Sequence, residues 1–199
     1  TQVSIQPITN LMENGNGKAY RLEPSGIVFK KPVQLIFYYN KEEIKDSMQL
    51  LQGIAMQDEN GQWNSLNKFT LDTTAKTISG NINHFSDWSN FSSIKISPAS
   101  ARVKVDRTLY LYILGVTPAD ESNGELTPLT RSPKKVVWKV NNVIGGNAKF
   151  GTIAGDDDFA NFSAPKNIPD QNPVAVTANL VGLKLRFNGI SFNNMRLVS

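Results

Sequence analysis

The chain has 199 residues, of which 40% are hydrophobic and 19% are charged, and its formal net charge is +4. This length accommodates one large or two small domains, and the composition is that of an ordinary soluble globular protein. The basic residues are scattered, with pairs such as Lys30-Lys31 and Lys134-Lys135 but no long run, so nucleic acid is not an expected partner. No apolar run approaches the roughly 20 residues that a membrane-spanning helix needs.

The chain contains no cysteine and a single histidine, His84. Disulfide bonds, thiolate nucleophiles and zinc–thiolate sites are therefore excluded, and a histidine-rich metal centre is impossible. We expect neither a metal nor a cofactor. The lack of cysteine does not place the chain in the cytoplasm, because exported bacterial domains can rely on large sandwich cores in place of disulfide bonds.

The first half of the chain has the pattern of an all-β domain. Asn-Gly pairs at Asn14-Gly15, Asn16-Gly17 and Asn60-Gly61 are typical of tight turns between strands. Strands are predicted at 3–8, 19–23, 33–39, 53–57, 68–72 and 77–83. In the third of these, Val33, Leu35, Phe37 and Tyr39 would share one buried face.

A single short helix interrupts this pattern at Lys41–Gln52. Ile44, Met48 and Leu51 recur there at helical spacing, and Asn40 with Glu43 resembles a capping box. We expect this helix to lie over a sheet of the first domain.

The second half begins near Ser93 and continues the all-β pattern. A strand is predicted at 94–98, and in the next one Leu109, Leu111 and Ile113 would point to the same side. The polar stretch from Thr117 to Lys134 contains three prolines, Pro118, Pro128 and Pro133. It is predicted to be a long exposed loop.

The segment from Val136 to Pro165 is typical of the middle of an immunoglobulin-like sandwich. Val136, Trp138 and Val140 alternate with Val137 and Lys139, so a strand would leave Lys139 in water and place the Trp138 ring in a core opposite Val174, Val176 and Ala178. Gly145-Gly146-Asn147 then supplies a turn, and strands follow at 150–153 and 161–164 before Pro165, which cannot donate a ladder hydrogen bond. The sequence thus predicts two tandem β-sandwiches, the second immunoglobulin-like.

Residues 1–92 resemble a ZU5 domain. The resemblance depends on Tyr20-Arg-Leu-Glu-Pro-Ser-Gly26, on Phe29-Lys-Lys-Pro-Val33, on Trp63 after the Asn60-Gly61 turn, and on His84-Phe85-Ser86. It implies a β-sandwich that serves in protein association, as in ankyrins, netrin receptors and death-domain adaptors. The leading strands of such a domain should precede Thr1, so the domain is expected to be abbreviated or to lack its first strands.

Residues 93–199 resemble the bacterial Ig-like repeats of surface proteins. The matching motifs include Ile96-Ser-Pro98, Trp138-Lys-Val-Asn141, Gly151-Thr-Ile153, Phe162-Ser-Ala-Pro165 and Pro173-Val-Ala-Val-Thr-Ala178. In bacteria such modules are exported spacers or adhesive elements. The resemblance therefore implies a location outside the cell, at the cell surface or in the periplasm.

His84-Phe85-Ser86 is the sharpest candidate for chemistry. In some ZU5 proteins a His-Phe-Ser motif at this place cleaves itself. Carried over to this chain, His84 would act as the base, Ser86 as the nucleophile, and Phe85 would donate the acyl carbon, which fits the need of a weak hydroxyl for a neighbouring base. Many members of the family keep these residues as a closing strand without cleavage, and the chemistry requires a strained turn.

An acidic run and the three tryptophans are two further candidates for ligand binding. Asp156-Asp157-Asp158 beside Gly155 could offer oxygen ligands to calcium, but consecutive acids cannot surround an ion and no calcium-loop spacing follows. Trp63, Trp88 and Trp138 could stack on sugars, but they lie in separate segments and Trp138 is better explained as core.

The sequence therefore favours a non-enzymatic bacterial cell-surface or periplasmic protein that acts as an interaction, adhesion or spacer module. Its partner would be a protein or a cell-surface glycan, and the chain is expected to be monomeric. One alternative is a self-cleaving ZU5 domain with its scissile bond at Phe85-Ser86. A second alternative is a carbohydrate-binding accessory module.

Overall fold

The computed structural model describes residues 2–39, 50–118, 126–131, 135–187 and 190–199. It confirms the predicted all-β sandwich fold, because the described chain consists of antiparallel sheets with almost no helix. The first nine strands are β1 (Ser4–Ile8), β2 (Ala19–Glu23), β3 (Val28–Tyr38), β4 (Gln52–Gln57), β5 (Trp63–Leu66), β6 (Phe69–Asp72), β7 (Thr77–His84), β8 (Asp87–Ser92) and β9 (Ile94–Ser97). The others are β10 (Thr108–Pro118), β11 (Leu126–Arg131), β12 (Val136–Val140), β13 (Val143–Ile144), β14 (Gly146–Asn147), β15 (Gly151–Ala154), β16 (Phe159–Ser163), β17 (Val176–Phe187) and β18 (Ile190–Val198).

The chain divides into two compact units. Unit 1 comprises Thr1–Ser93 and Val116–Arg131, and unit 2 comprises Ile94–Gly115 and Ser132–Ser199. Residues 116–131, which the sequence placed in the second domain, thus group with the first unit. The long strand β10 contributes its first part to unit 2 and its last residues to unit 1.

Unit 1 is built from two sheets. The larger has the strand order β1-β2-β8-β4-β5-β11, and the smaller has the order β3-β7-β6. Strand periodicity sends alternate apolar residues of both sheets inward. The resulting core contains Leu22, Phe37, Ile54, Met56, Leu66, Ile78, Ile82 and Trp88.

A buried polar network stabilises the start of β4 and the end of β8 in unit 1. The Asn16 Nδ2 donates to Gln52 Oε1 at 2.6 Å and to Ser92 Oγ at 3.0 Å. The Gln52 Nε2 in turn donates to Ser92 Oγ at 3.0 Å. Buried polar groups of this kind are tolerated because they are hydrogen-bonded to one another.

Unit 2 also consists of two sheets. One contains β9, the first part of β10, β16, β15 and β14, and the other has the order β13-β12-β17-β18. Val136, Trp138 and Val140 are buried, and Trp138 pairs with Ala178 across the ladder, as predicted. Gly145 and Gly146 have the positive φ that their turn requires.

One prediction is wrong, and another lies almost entirely outside the described residues. The stretch 117–134 was predicted to be a loop, but β11 occupies 126–131 and pairs with β5 and β10. The loop prediction was therefore wrong for this part, because a distant partner strand and not the local composition decides the conformation of β11. The helix predicted at Lys41–Gln52 lies outside the described residues, apart from a 3₁₀ turn at Leu50-Leu51 and Gln52, which begins β4.

Candidate functional site

The His84-Phe85-Ser86 motif lies at the connection between β7 and β8. β7 ends at His84 and β8 begins at Asp87, so Phe85 and Ser86 carry the chain from the smaller to the larger sheet of unit 1. The Gly26 N–H donates to the Phe85 carbonyl at 3.2 Å, and the Leu22 N–H donates to the Ser86 carbonyl at 3.0 Å. The backbone of the motif is thus tied to the segments on either side of it.

The Ser86 hydroxyl is engaged away from the candidate base. Its Oγ donates to the carbonyl oxygen of Gln57 at 3.0 Å, and the described residues show no hydrogen bond between Ser86 and His84. Neither Phe85 nor Ser86 has a positive φ. The described arrangement therefore lacks the nucleophile–base hydrogen bond that self-cleavage would use and has no positive-φ residue at the scissile bond.

The His84 ring contacts its own neighbours. Its Nδ1 lies 3.3 Å from the Phe85 carbonyl oxygen, and this contact is a hydrogen bond only when Nδ1 carries the proton. In that tautomer the free lone pair is on Nε2. The ring also lies 6.0 Å from the Trp88 ring, at an interplanar angle of 39°, so His84 packs at the edge of the core.

Among the described residues, three ionisable groups have pKa values moved by their surroundings. Burial raises the pKa of the Tyr39 phenol, and the charge of Asp72 adds to the shift. The hydrogen bond and charge of Asp87 raise the pKa of Arg21, whereas burial lowers the pKa of Lys95. None of these groups belongs to the His84 motif, and each shift follows from packing or ion pairing.

The remaining sequence candidates separate in the structure. Asp156, Asp157 and Asp158 are exposed in the turn between β15 and β16, and the described residues contain no group of acidic or histidine side chains that could hold a metal ion. Trp88 and Trp138 are buried in the cores of unit 1 and unit 2, respectively. These tryptophans therefore cannot form the sugar-stacking platform that we considered.

Unit 1 has an uncovered inner face at β1. The register pairs Ile5 with Leu22 and Pro7 with Tyr20, so Ile5 and Pro7 point to the side of the sheet that packs in the core. Leu22 is 4% exposed, whereas Ile5 is 70% exposed. Because β3 is the end strand of the smaller sheet among the described residues, no described strand covers β1.

A cavity of about 430 Å³ lies beside this uncovered face. Its apolar wall is formed by residues from β1, β2 and β3, and its polar wall comes from the turn before β2 and from β8. The apolar residues are Ile5, Tyr20, Leu22, Leu35, Ile36, Phe37 and Tyr38, and the polar ones are Asn16, Lys18 and Asn90.

The edge of β3 is protected over only half of its length. Its first half contains Lys30, Lys31 and Pro32, residue types that discourage pairing with a further strand. Its second half, from Val33 to Tyr38, contains no charge and no proline. Val33, Ile36 and Tyr38 are exposed there, so this half is an apolar edge to which no described strand pairs.

Unit 2 exposes aromatic side chains on the outer side of β10 and β16. Leu111 and Ile113 point into the core, which turns Tyr110 and Tyr112 outward, and Phe159 joins them from β16. Their exposed fractions are 62% for Tyr110, 41% for Tyr112 and 45% for Phe159. The rings of Tyr110 and Phe159 are stacked, with centroids 5.9 Å apart and an interplanar angle of 30°. We call these residues the aromatic face.

Part of the aromatic face could have been predicted from the alternation of residues along β10. The alternation that placed Leu109, Leu111 and Ile113 on one side also places Tyr110 and Tyr112 on the other. Phe159 could not be added from sequence, because its position beside Tyr112 depends on the register of β10 and β16.

The described residues contain no helix with the length and apolar character needed to cross a membrane. Comparison of the chain with protein-family models, with curated proteins and with solved structures finds no match.

Proposed function

We propose that this chain is a non-enzymatic, exported bacterial interaction module that binds a protein partner by accepting an extended segment along β3. The observation that carries the proposal is the open half-edge of β3 beside the uncovered inner face of β1. The resemblance of residues 1–92 to a domain of protein association supports the kind of partner. The resemblance of residues 93–199 to bacterial surface repeats supports a location at the cell surface, outside the cell or in the periplasm.

An added strand would satisfy two needs of unit 1 at once. Its backbone would pair with the N–H and C=O groups of β3 between Val33 and Tyr38 that point away from β7 and face no described strand. Because side chains alternate along a strand, one row would enter the cavity and cover Ile5, and the other row would pack beside Ile36. The partner segment would therefore alternate apolar residues over about six positions, the usual length of a strand.

Strand addition can be tested with a displayed library of random twelve-residue peptides. We expect selected peptides to be rich in alternating apolar residues and to bind with affinity in the micromolar range, which corresponds to about −8 kcal/mol. The variant Ile36→Lys places a charge on the open edge, as natural edges do, and should weaken binding at least tenfold. Tyr110→Lys, in unit 2, is the matched control and should leave binding unchanged.

The absence of cysteine from the chain allows a second measurement. A single cysteine at Ile5→Cys should be protected from alkylation by a bound peptide, whereas one at Tyr110→Cys should not. If selected peptides bind equally well to Ile36→Lys, or leave Ile5→Cys unprotected, the proposal is wrong.

A further inference from the structure

The aromatic face lies within three cross-strand rows that contain no charged side chain, and the next row on the same side of the sheet pairs Leu114 with Lys95. The registers of β9, β10, β16 and β15 arrange this surface in cross-strand rows. The first row contains Ser97, Tyr112 and Phe159, the second contains Tyr110, Asn161 and Ala154, and the third contains Thr108, Ser163 and Thr152. Side chains of these rows offer aromatic rings, hydroxyl groups and one amide.

We propose that this surface binds a neutral glycan. A sugar ring has an apolar face of C–H groups and a rim of hydroxyls, so it is matched by exposed aromatic rings that have polar groups beside them. Tyrosine suits this role because it gives a large amphipathic contact at low cost in conformational entropy. The stacked rings of Tyr110 and Phe159 supply adjacent contacts for consecutive sugar units.

Asn161 stands at the centre of the surface, between Tyr110 and Ala154. Its Oδ1 is covered and has no hydrogen-bond partner among the described residues. Such an acceptor is uncommon in a folded protein. A rotation of the amide would present it to a sugar hydroxyl, which would supply the missing donor.

The charges around the surface favour a neutral ligand over a charged one. The nearest charged residues in sequence are Asp158, before Phe159, and Arg107, before Thr108, and they have opposite signs. Lys95, two residues before Ser97, is a single partly buried cation on the same side of the sheet. An acidic glycan bound at this surface would have its charges desolvated without a matching cationic cluster, which costs affinity. This binding site is on unit 2 and does not depend on the strand addition proposed for unit 1.

The experiment uses the full chain and measures retention on neutral polysaccharides, namely cellulose, xylan, mannan, amylose and chitin, with alginate and heparin as acidic probes. We expect binding to at least one neutral polysaccharide and none to the acidic ones. Tyr110→Ala and Phe159→Ala should each lower the affinity at least tenfold, because each removes a stacking ring. Tyr110→Phe keeps the ring and should lower it by less than threefold, which separates stacking from loss of the fold.

Tyr38→Ala provides the matched control, since Tyr38 is 79% exposed and lies in unit 1. It should leave glycan binding unchanged. The proposal is overturned if none of the neutral polysaccharides binds, if acidic ones bind as well as neutral ones, or if a folded Tyr110→Ala/Phe159→Ala double variant binds like the unaltered chain. A peptide-binding defect in Ile36→Lys without any change in glycan binding would show that the two proposals stand separately.

Discussion

Unit 1 and unit 2 both expose apolar side chains, but at different parts of a sheet. In unit 1 the exposed residues lie along the edge of β3 and on the inner face of β1, where Ile5 points toward the core side without a cover. In unit 2 they lie on the outer side of β10 and β16, over a sheet whose inner side is fully packed. An open edge offers backbone hydrogen bonds to a partner, whereas an outer face offers only side chains.

This difference separates the kinds of ligand that each unit can recognise. The partner that we propose at the β3 edge would be a polypeptide, because an extended backbone matches the spacing of the N–H and C=O groups that face no described strand. A partner at the aromatic face needs no backbone, and the hydroxyl groups around Tyr110 and Phe159 suit a polyhydroxylated ligand. Both classes of partner that the sequence favoured, protein and glycan, thus have a separate candidate surface.

Each unit has a core of its own, and we expect the largest effect from replacing the tryptophan buried in each core. Trp138→Ala in unit 2 should lower the free energy of unfolding by roughly 3 to 5 kcal/mol, because it removes a large buried aromatic from a sandwich without disulfide bonds. Trp88→Ala in unit 1 should have a similar cost. Chemical denaturation followed by circular dichroism measures both.

The pair of variants also identifies the unit that each tryptophan stabilises. We expect Trp138→Ala to reduce glycan retention before peptide binding as denaturant is added, and Trp88→Ala to reverse that order. A change of stability within experimental error for Trp138→Ala would mean that its ring does not contribute to a core.

The strand of Trp138 was predictable because its pattern is local. In this strand Val136, Trp138 and Val140 alternate with less buried residues. Gly145 and Gly146 follow it directly and have the positive φ of a turn. By contrast, β8 was not predicted, since its Ser89, Asn90 and Ser92 do not look like a buried strand. Partners distant in sequence satisfy the hydroxyl groups of this strand. Asn16 and Gln52 donate to Ser92 Oγ, and Asn10 Nδ2 donates to Ser89 Oγ at 2.8 Å.

The candidate surfaces were less predictable than the strands. β11 was not predicted, because Pro128 and the polar residues around it do not have the pattern of a strand. Its pairing with β5 joins residues far apart in the chain. The aromatic face and the uncovered Ile5 both depend on register between strands, and a shift of one residue would turn these side chains to the opposite side. Sequence alternation alone does not determine register.

A turn glycine from each unit gives a smaller contrast in stability. Gly146 in unit 2 has φ of 75°, and a Cβ added there would overlap the carbonyl oxygen of Gly151 and lie 3.0 Å from Val140 Cγ2. Gly17 in unit 1 has φ of 63° with no atom within 4 Å of the added Cβ. We expect Gly146→Ala to cost roughly 2 to 4 kcal/mol and Gly17→Ala about 1 kcal/mol.

Thermal unfolding of the two glycine variants measures this contrast. Only the backbone conformation is penalised at Gly17, whereas at Gly146 the crowding between β14, β15 and β12 adds to that penalty. Equal costs would mean that the turn at Gly146 relaxes freely and that unit 2 is packed less tightly there than its contacts indicate.

The smallest expected effect concerns the His84-Phe85-Ser86 motif of unit 1. The chain should remain a single polypeptide of 22.0 kDa after long incubation at neutral pH, because the Ser86 hydroxyl donates to Gln57 and not to His84. Ser86→Ala should cost about 1 kcal/mol of unfolding free energy through the loss of that hydrogen bond, and the His84→Ala chain should likewise stay intact. Denaturing mass spectrometry and thermal unfolding check these outcomes. Fragments that break between Phe85 and Ser86, and that disappear in Ser86→Ala, would instead make unit 1 a self-processing domain, since the Gly26 N–H already lies on the Phe85 carbonyl where negative charge would develop.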